Sequence, residues 1–358
     1  SSSMAWLAYT MLEILVAMAC CFGNVLVMWA VHLRRSLRQP TFCFVVSLAI
    51  ADFLVGSVAV PLAVLVDGWI QTSFHICLLV SCIVLVLTQA SVLSLLAIAV
   101  DRYLRVSIPL RYREIATQRH SWSVVAVCWL LSCVLGFTPL FGWHNGHALI
   151  HDANSTLIHC TFLSVISLPY MVYFNYLGCI MCPLVAMTIL YALVFHSLWT
   201  RLHKEAEPNG GRAKFCGREK HRVTLGGAEM GVTDSQAFLM REKRLALSLV
   251  LVLLLFAGCW MPLHLMNCAV LAFGYQAVPQ WMFYAGILLS HANSAVNPVV
   301  YAMRVQKIRE AYTEIWNQCV SCLRGQGGST PRQRTLSGGH NTGSDHITTP
   351  THTGAITT

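Results

Sequence analysis

The chain has 358 residues, 56% of them hydrophobic and only 11% charged, with a formal net charge of +9. A soluble domain carries about 25% charged residues, so this composition excludes an ordinary soluble enzyme or binding domain and points to lipid. The basic excess suits anionic headgroups, and membrane lipids are therefore an expected partner. Nothing else in the sequence supports nucleic acid as a partner.

Windows of about 20 nearly uncharged residues recur seven times. They fall at about 7–33, 40–64, 74–101, 121–141, 168–198, 245–271 and 279–303. The first holds Glu13 and "GNVLV" at 23–27, and it is long enough to cross the bilayer, so it reads as a span and not as a cleaved signal. The second carries Asp52 mid-span in "SLAIADFLV", where a carboxylate cannot reach water by snorkelling. The third starts near Cys77 and ends on "DRYLRV" at 101–106. Trp129 marks the fourth, Pro183 the fifth and "CWMPLH" at 259–264 the sixth. The seventh, "GILLSHANSAVNPVVYA" at 286–302, holds His291, Asn293, Ser294, Asn297 and Pro298. Polar groups and a helix breaker are tolerated in a span where neighbouring helices satisfy them, so these residues are expected to face a bundle interior. The predicted fold class is an all-α membrane protein, a seven-transmembrane helix bundle forming one domain over 1–320.

Between the spans, all 24 Lys and Arg fall in 34–38, 102–119, 201–244 and 304–334. With seven spans those four segments share a side, and the positive-inside rule makes it cytoplasmic. The expected protein is thus multi-pass, with its N-terminus outside and its C-terminus inside. Most cysteines sit within spans, where a thiol is a small hydrophobe. Cys77 and Cys160 fall near the oxidising outer face and are predicted to pair. Asn154 heads a glycosylation sequon on the same outer loop, 142–167. Residues 201–243 are polar and Gly-rich and read as a flexible cytoplasmic loop. After the last span, Val305, Ile308, Tyr312 and Ile315 recur at helical spacing among basic residues, the mark of a short amphipathic eighth helix along the inner leaflet. Cys319 and Cys322 at its end are candidates for acylation, against the plainer reading of two unmodified thiols. Residues 321–358 have little apolar content and read as a disordered tail.

These motifs, one per span and in order, resemble the rhodopsin-like G-protein-coupled receptors. The resemblance covers about 7–320 and implies two internal sites. Asp52, Ser91, Asn293, Ser294 and Asn297 match a buried sodium site, an oxygen set with one carboxylate that suits a hard cation. No cofactor is expected beyond that allosteric sodium ion. Asp101, Arg102, Tyr103 and Glu242 match an inner-face lock in which Arg102 pairs with carboxylates until a G protein takes their place. Asn297, Pro298 and Tyr301 match the switch in the seventh span.

The same positions narrow the ligand. The place of a retinal-binding lysine is His291, which excludes an opsin, and the place of an amine receptor's carboxylate is Val84. No Lys or Arg lies in the outer half of any span, which disfavours nucleotides and other anionic ligands. A neutral, flat, hydrogen-bonding ligand remains. Asn267 offers an acceptor and donors side by side, the pattern that matches an adenine edge, and Phe162 is placed to stack on a base. The segments "LAIAVDRYLRVSIPLRY", "FTPLFGW", "YMVYFNY", "WMPLHLMN" and "SHANSAVNPVVYA" are similar to those of the adenosine receptors. That resemblance implies that Phe162 and Asn267 hold adenine and that Leu263 backs it. Thr88, Ser290 and His291 meet the ribose, Glu13 fixes the His291 ring, and Trp260 senses the ligand from the floor. Leu163 and "YAGILLSHANS" resemble the third, cyclase-inhibiting subtype, whereas Gln89 and His264, both candidates for the ligand lining, look more like the first. The implied partners are adenosine and an inhibitory heterotrimeric G protein, with arrestin and receptor kinases acting on a phosphorylated tail. The alternatives are another neutral purine-like ligand and, in a different class, a transporter, for which no internal repeat is visible. A zinc hydrolase would need a His and carboxylate cluster that is not apparent either.

Overall fold

The structure, a computed structural model, describes residues 2–34, 37, 39–66, 71–146, 157–206 and 228–323. Helices occupy every predicted span. Span one is Ser2–Leu33, and span two runs from Pro40–Leu54 through a wider stretch, Val55–Ala59, into Val60–Val66. Spans three and four are Phe74–Ser107 and Gln118–Gly136. Span five joins the wide-turned Tyr170–Met181 to Cys182–Ala206, span six is Ala228–Phe273, and span seven is Gln280–Arg304. The eighth helix is Gln306–Leu323. Six of the seven spans are long and apolar enough to cross a membrane. Span seven, at 25 residues, is long enough at about 37 Å, but its buried polar residues dilute its apolar character. The two wide stretches end close to Pro61 and Pro183, whose rings clash with the carbonyl four residues back, and wider turns relieve that clash.

Burial is inverted relative to a soluble bundle. Leu15, Val127, Leu130, Ile189 and Leu254 are exposed on the outside, while Glu13, Asn24, Asp52 and Asn293 are no more than 2% exposed. A solvent of lipid accepts the first group and rejects the second. One apolar core, including Leu48, Ile98, Met187, Phe256 and Val300, knits the inner half of the bundle. Small residues set the closest approaches, as is common between helices in lipid. A Cβ on Gly136 would lie 2.6 Å from the Val86 backbone nitrogen, so span four meets span three backbone to backbone. A Cβ on Gly23 would lie 2.9 Å from Pro298 Cγ, seating span one against span seven at its internal proline.

Several expectations need correcting. Span three reaches Ser107, beyond 101, and span four ends at Gly136, short of 141, followed by a tight turn, Thr138–Phe141. The loop expected over 201–243 is helical at both ends, to Ala206 and from Ala228. Good helix formers such as Ala, Glu, Gln, Leu and Lys dominate 236–246, and no proline intervenes before Pro262, so span six continues outward. Residues 207–227 lie outside the described residues. Elements not anticipated include two short helices, Pro109–Ile115 and Phe162–Val165, and an antiparallel pair of three-residue strands, Gln71–Ser73 and Leu157–His159, with Gln71 opposite His159 and Ser73 opposite Leu157. These strands are too short for periodicity to reveal.

Candidate functional site

The outer half of the bundle encloses a cavity of about 530 Å³, within the range of small-molecule sites. Its ceiling is the short helix Phe162–Val165, held in several ways. The disulfide Cys77–Cys160 pins its approach to span three, with Cα atoms 5.7 Å apart. The strand pair lies just before Cys160. Thr161 and Ser164 cap the helix reciprocally, and Asn145 Nδ2 donates to the Leu163 and Ile166 carbonyls at 3.3 and 3.2 Å. Phe162 is thereby presented to the cavity beside Leu163.

Thr88, Trp260, Leu263, His264, Asn267, Ser290 and His291 line the same space. Among the described residues the lining contains no Asp, Glu, Lys or Arg. Thr88 and Ser290 bond back to their own helix, to Val84 and Ile287 carbonyls at 3.0 and 2.7 Å, which leaves their hydroxyl oxygens able to accept. His264 is 1% exposed and stacks on Tyr176 and Trp260, with ring centroids 4.8 and 5.8 Å away. Neither of its ring nitrogens has a hydrogen-bond partner among the described residues. A buried polar atom without a partner is costly, so this wall is suited to a polar guest.

One candidate lining residue, Gln89, and the acid expected to fix the His291 ring, Glu13, stand behind the wall. Gln89 Nε2 donates to Asn175 Oδ1 at 2.9 Å, and Asn175 takes the place on the lining. Glu13, fully buried, sits 2.9 Å from His291 Nδ1 through Oε2. An ionised carboxylate only accepts, so beside ionised Glu13 a neutral His291 ring carries its proton on Nδ1 and presents Nε2 as an acceptor. Asn175, Tyr9, Met171, Tyr284 and Ile287 line the cavity without having been singled out from sequence. Asn175 sits in "YMVYFNY", but a lone Asn has no periodicity to reveal which way it faces.

One layer inward, Asp52 accepts from Ser91 at 3.3 Å, Ser294 at 2.9 Å and Asn297 Nδ2 at 2.7 Å. Asn24 bridges spans one and seven through the Cys20 and Ser294 carbonyls, 2.9 Å each. Asn293 makes no direct bond to Asp52; its Oδ1, like those of Asn24 and Asn297, is buried without a partner among the described residues. One carboxylate, two hydroxyls and unsatisfied amide oxygens are a donor set that fits a hard monovalent cation.

At the inner end, Arg102 is 1% exposed. Its Nη1 donates to Glu242 Oε2 at 3.1 Å and its Nη2 to Asp101 Oδ2 at 2.9 Å and to Thr41. Thr41 and Tyr112 donate to Asp101 at 2.6 and 2.8 Å. Burial, with the Asp101 charge beside it, holds the Tyr112 phenol above its usual range, so it remains a donor. Thr41 and Tyr112 were not foreseen, and Tyr103 packs instead with Val106, Val194 and Leu198. Tyr301 is 2% exposed, and its hydroxyl has no partner among the described residues. Cys319 and Cys322 are exposed free thiols; Asn154 and the tail from 324 lie outside the described residues.

Residues 23–301 match the family described as "7 transmembrane receptor (rhodopsin family)". The chain is similar to Adenosine receptor A3 of Ovis aries, 43% identical over 324 residues, which is 90% of this chain and 94% of that protein. It is also similar to Adenosine receptor A3 of Bos taurus, at 43% over 89% of this chain and 93% of the relative. For that of Canis lupus familiaris the figures are 41%, 89% and 94%.

Proposed function

The chain belongs to the rhodopsin family of seven-transmembrane receptors and, within it, to the adenosine receptors, and from that premise we infer a cell-surface receptor that binds adenosine and signals through an inhibitory heterotrimeric G protein. It is a multi-pass plasma-membrane protein and not an enzyme. The observation that carries the ligand reading is the cavity whose described lining holds no Asp, Glu, Lys or Arg and in which Phe162, Asn267 and His291 share one space. Phe162 offers a face for a flat base, and Asn267 offers the paired donor and acceptor that an adenine edge needs. Thr88, Ser290 and the Nε2 of His291 offer partners for ribose hydroxyls. Leu163 on the ceiling suits the third subtype, while His264 on the wall and Gln89 behind it are more like the first.

The remaining assignments extend that reading. The Asp52 cluster holds sodium when agonist is absent, with Ser91, Asn293, Ser294 and Asn297 as the other candidate ligands. Arg102, released from Glu242 and Asp101, meets the G protein, and Asn297, Pro298 and Tyr301 carry the change along span seven. The N-terminus faces outward, Asn154 carries glycan, and Cys319 and Cys322 carry acyl chains. Receptor kinases phosphorylate the tail, at sites such as Thr335 and Ser337, which arrestin then grips.

Asn267→Ala tests the ligand assignment. Removing a two-point bond in a dry pocket costs about 1–3 kcal/mol, so adenosine affinity should fall about tenfold or more. Binding is measured on membranes with and without a GTP analogue, which should weaken agonist binding to wild type by uncoupling the G protein. Normal adenosine affinity in a variant that reaches the surface normally would refute the adenine assignment, and GTP-insensitive wild-type binding would refute the receptor reading.

A further inference from the structure

We propose that Arg105 is a second latch on span six, a positioning residue that restrains the receptor's resting state through Glu242. The proposal rests on the receptor reading and concerns a residue outside the Asp101-Arg102-Tyr103 motif. Arg102 and Arg105 are three residues apart on span three and share a face. Arg102 is already divided among Asp101, Thr41 and Glu242, so only one of its nitrogens reaches Glu242, at Oε2. The other oxygen, Oε1, is held by Arg105 Nε at 3.1 Å. Arg105 Nη1 also donates to Gln39 Oε1 at 3.4 Å, at the start of span two. Glu242 is 3% exposed, and a buried carboxylate facing a shared cation is poorly compensated. Asp101 and Glu242 carry two negative charges, and Arg102 with Arg105 balances them.

The two arginines differ in position. The Arg102 side chain is 2% exposed and that of Arg105 is 22%, so Arg105 is the outer bolt, next to the cytosol. Any separation of span six from span three has to break both ion pairs. Losing Arg105 leaves Glu242 on one nitrogen of Arg102 and ties span six less firmly to spans two and three. The resting state is weakened, while the cavity about the ligand is untouched.

The test is nucleotide exchange on the inhibitory G protein, in membranes carrying the full-length receptor, without agonist. Signal is normalised to receptor amount by binding of an adenosine-site antagonist. Arg105→Gln is expected to raise basal exchange about fivefold, the low end of a typical coupling between states. Arg105→Lys keeps the charge and should stay nearer wild type. In a Glu242→Gln background, Arg105→Gln should add nothing further, because the carboxylate through which it holds span six has gone. Unchanged basal exchange in Arg105→Gln, equal rises in the Gln and Lys variants, or additive rises with Glu242→Gln would each overturn the latch. Adenosine-stimulated exchange by wild type is the control. Its absence would count against the functional reading, and its presence beside a flat Arg105→Gln would count against the latch alone.

Discussion

His291 shows how much one side chain depends on its neighbour. Glu13 lies on span one and His291 on span seven, 278 positions apart, yet they meet at 2.9 Å. If the carboxylate orients the ring, the two residues act as one unit. Glu13→Gln and His291→Ala should each weaken adenosine more than a ligand without ribose, because only the sugar uses the oriented nitrogen. The double variant should lose clearly less than the sum of the single losses, by about 0.5 kcal/mol or more; additive losses would separate Glu13 from the site. At this scale the sequence was a good guide to residue type and a poorer one to position. A buried acid in span one was visible, as was the need for a partner. Gln89 looked like a wall residue because an amide in a span invites that role, but its bond to Asn175 draws it behind the wall. Only the packed bundle decides which of two adjacent amides faces the cavity.

At the scale of the element, helices were legible and their ends were not. Apolar runs mark where a span lies in lipid, but a helix can outrun the bilayer, and spans three and six, with 34 and 46 residues, are longer than the roughly 20 residues that cross it, so hydropathy does not report their ends. Contacts between elements were less legible still. Gly136 reads as one small residue among many, yet it closes spans three and four to backbone contact. A methyl there must push span four outward, and overpacking of this kind costs about 1–3 kcal/mol. Gly136→Ala should therefore lower the melting temperature of the purified receptor by about 2–6 °C. Gly258→Ala is the control: an added Cβ there meets nothing within 4 Å, and alanine favours a helix. Equal losses in both variants would show that the close approach at Gly136 is not the cause.

At the scale of the whole molecule, the outer cavity, the Asp52 cluster and the inner lock lie at successive depths of one bundle, and the two faces must communicate through the middle. Sodium is expected to stabilise the resting arrangement that agonist displaces, so it should weaken agonist binding. Asp52→Asn removes the carboxylate from the cluster. Agonist binding to that variant should no longer respond to NaCl when compared with a bulky-cation chloride at equal ionic strength, while wild type responds. A sodium effect of unchanged size in the variant would place the ion elsewhere.

What the sequence determined by itself was the solvent and the chemistry. Hydropathy along the chain requires lipid, because too few charges exist to solvate seven apolar segments. Polar residues within those segments require an interior that satisfies them, and that combination already implies a bundle with functional residues inside. The tertiary structure decided pairing. Whether Asp52 faces Ser91 or Asn293, whether Asp101 is met by Thr41 and Tyr112, and whether Glu242 is held by one arginine or two depend on how helices far apart in sequence are rotated and offset. That rotation is set by packing at a few small residues and prolines across the whole bundle, which no single span encodes.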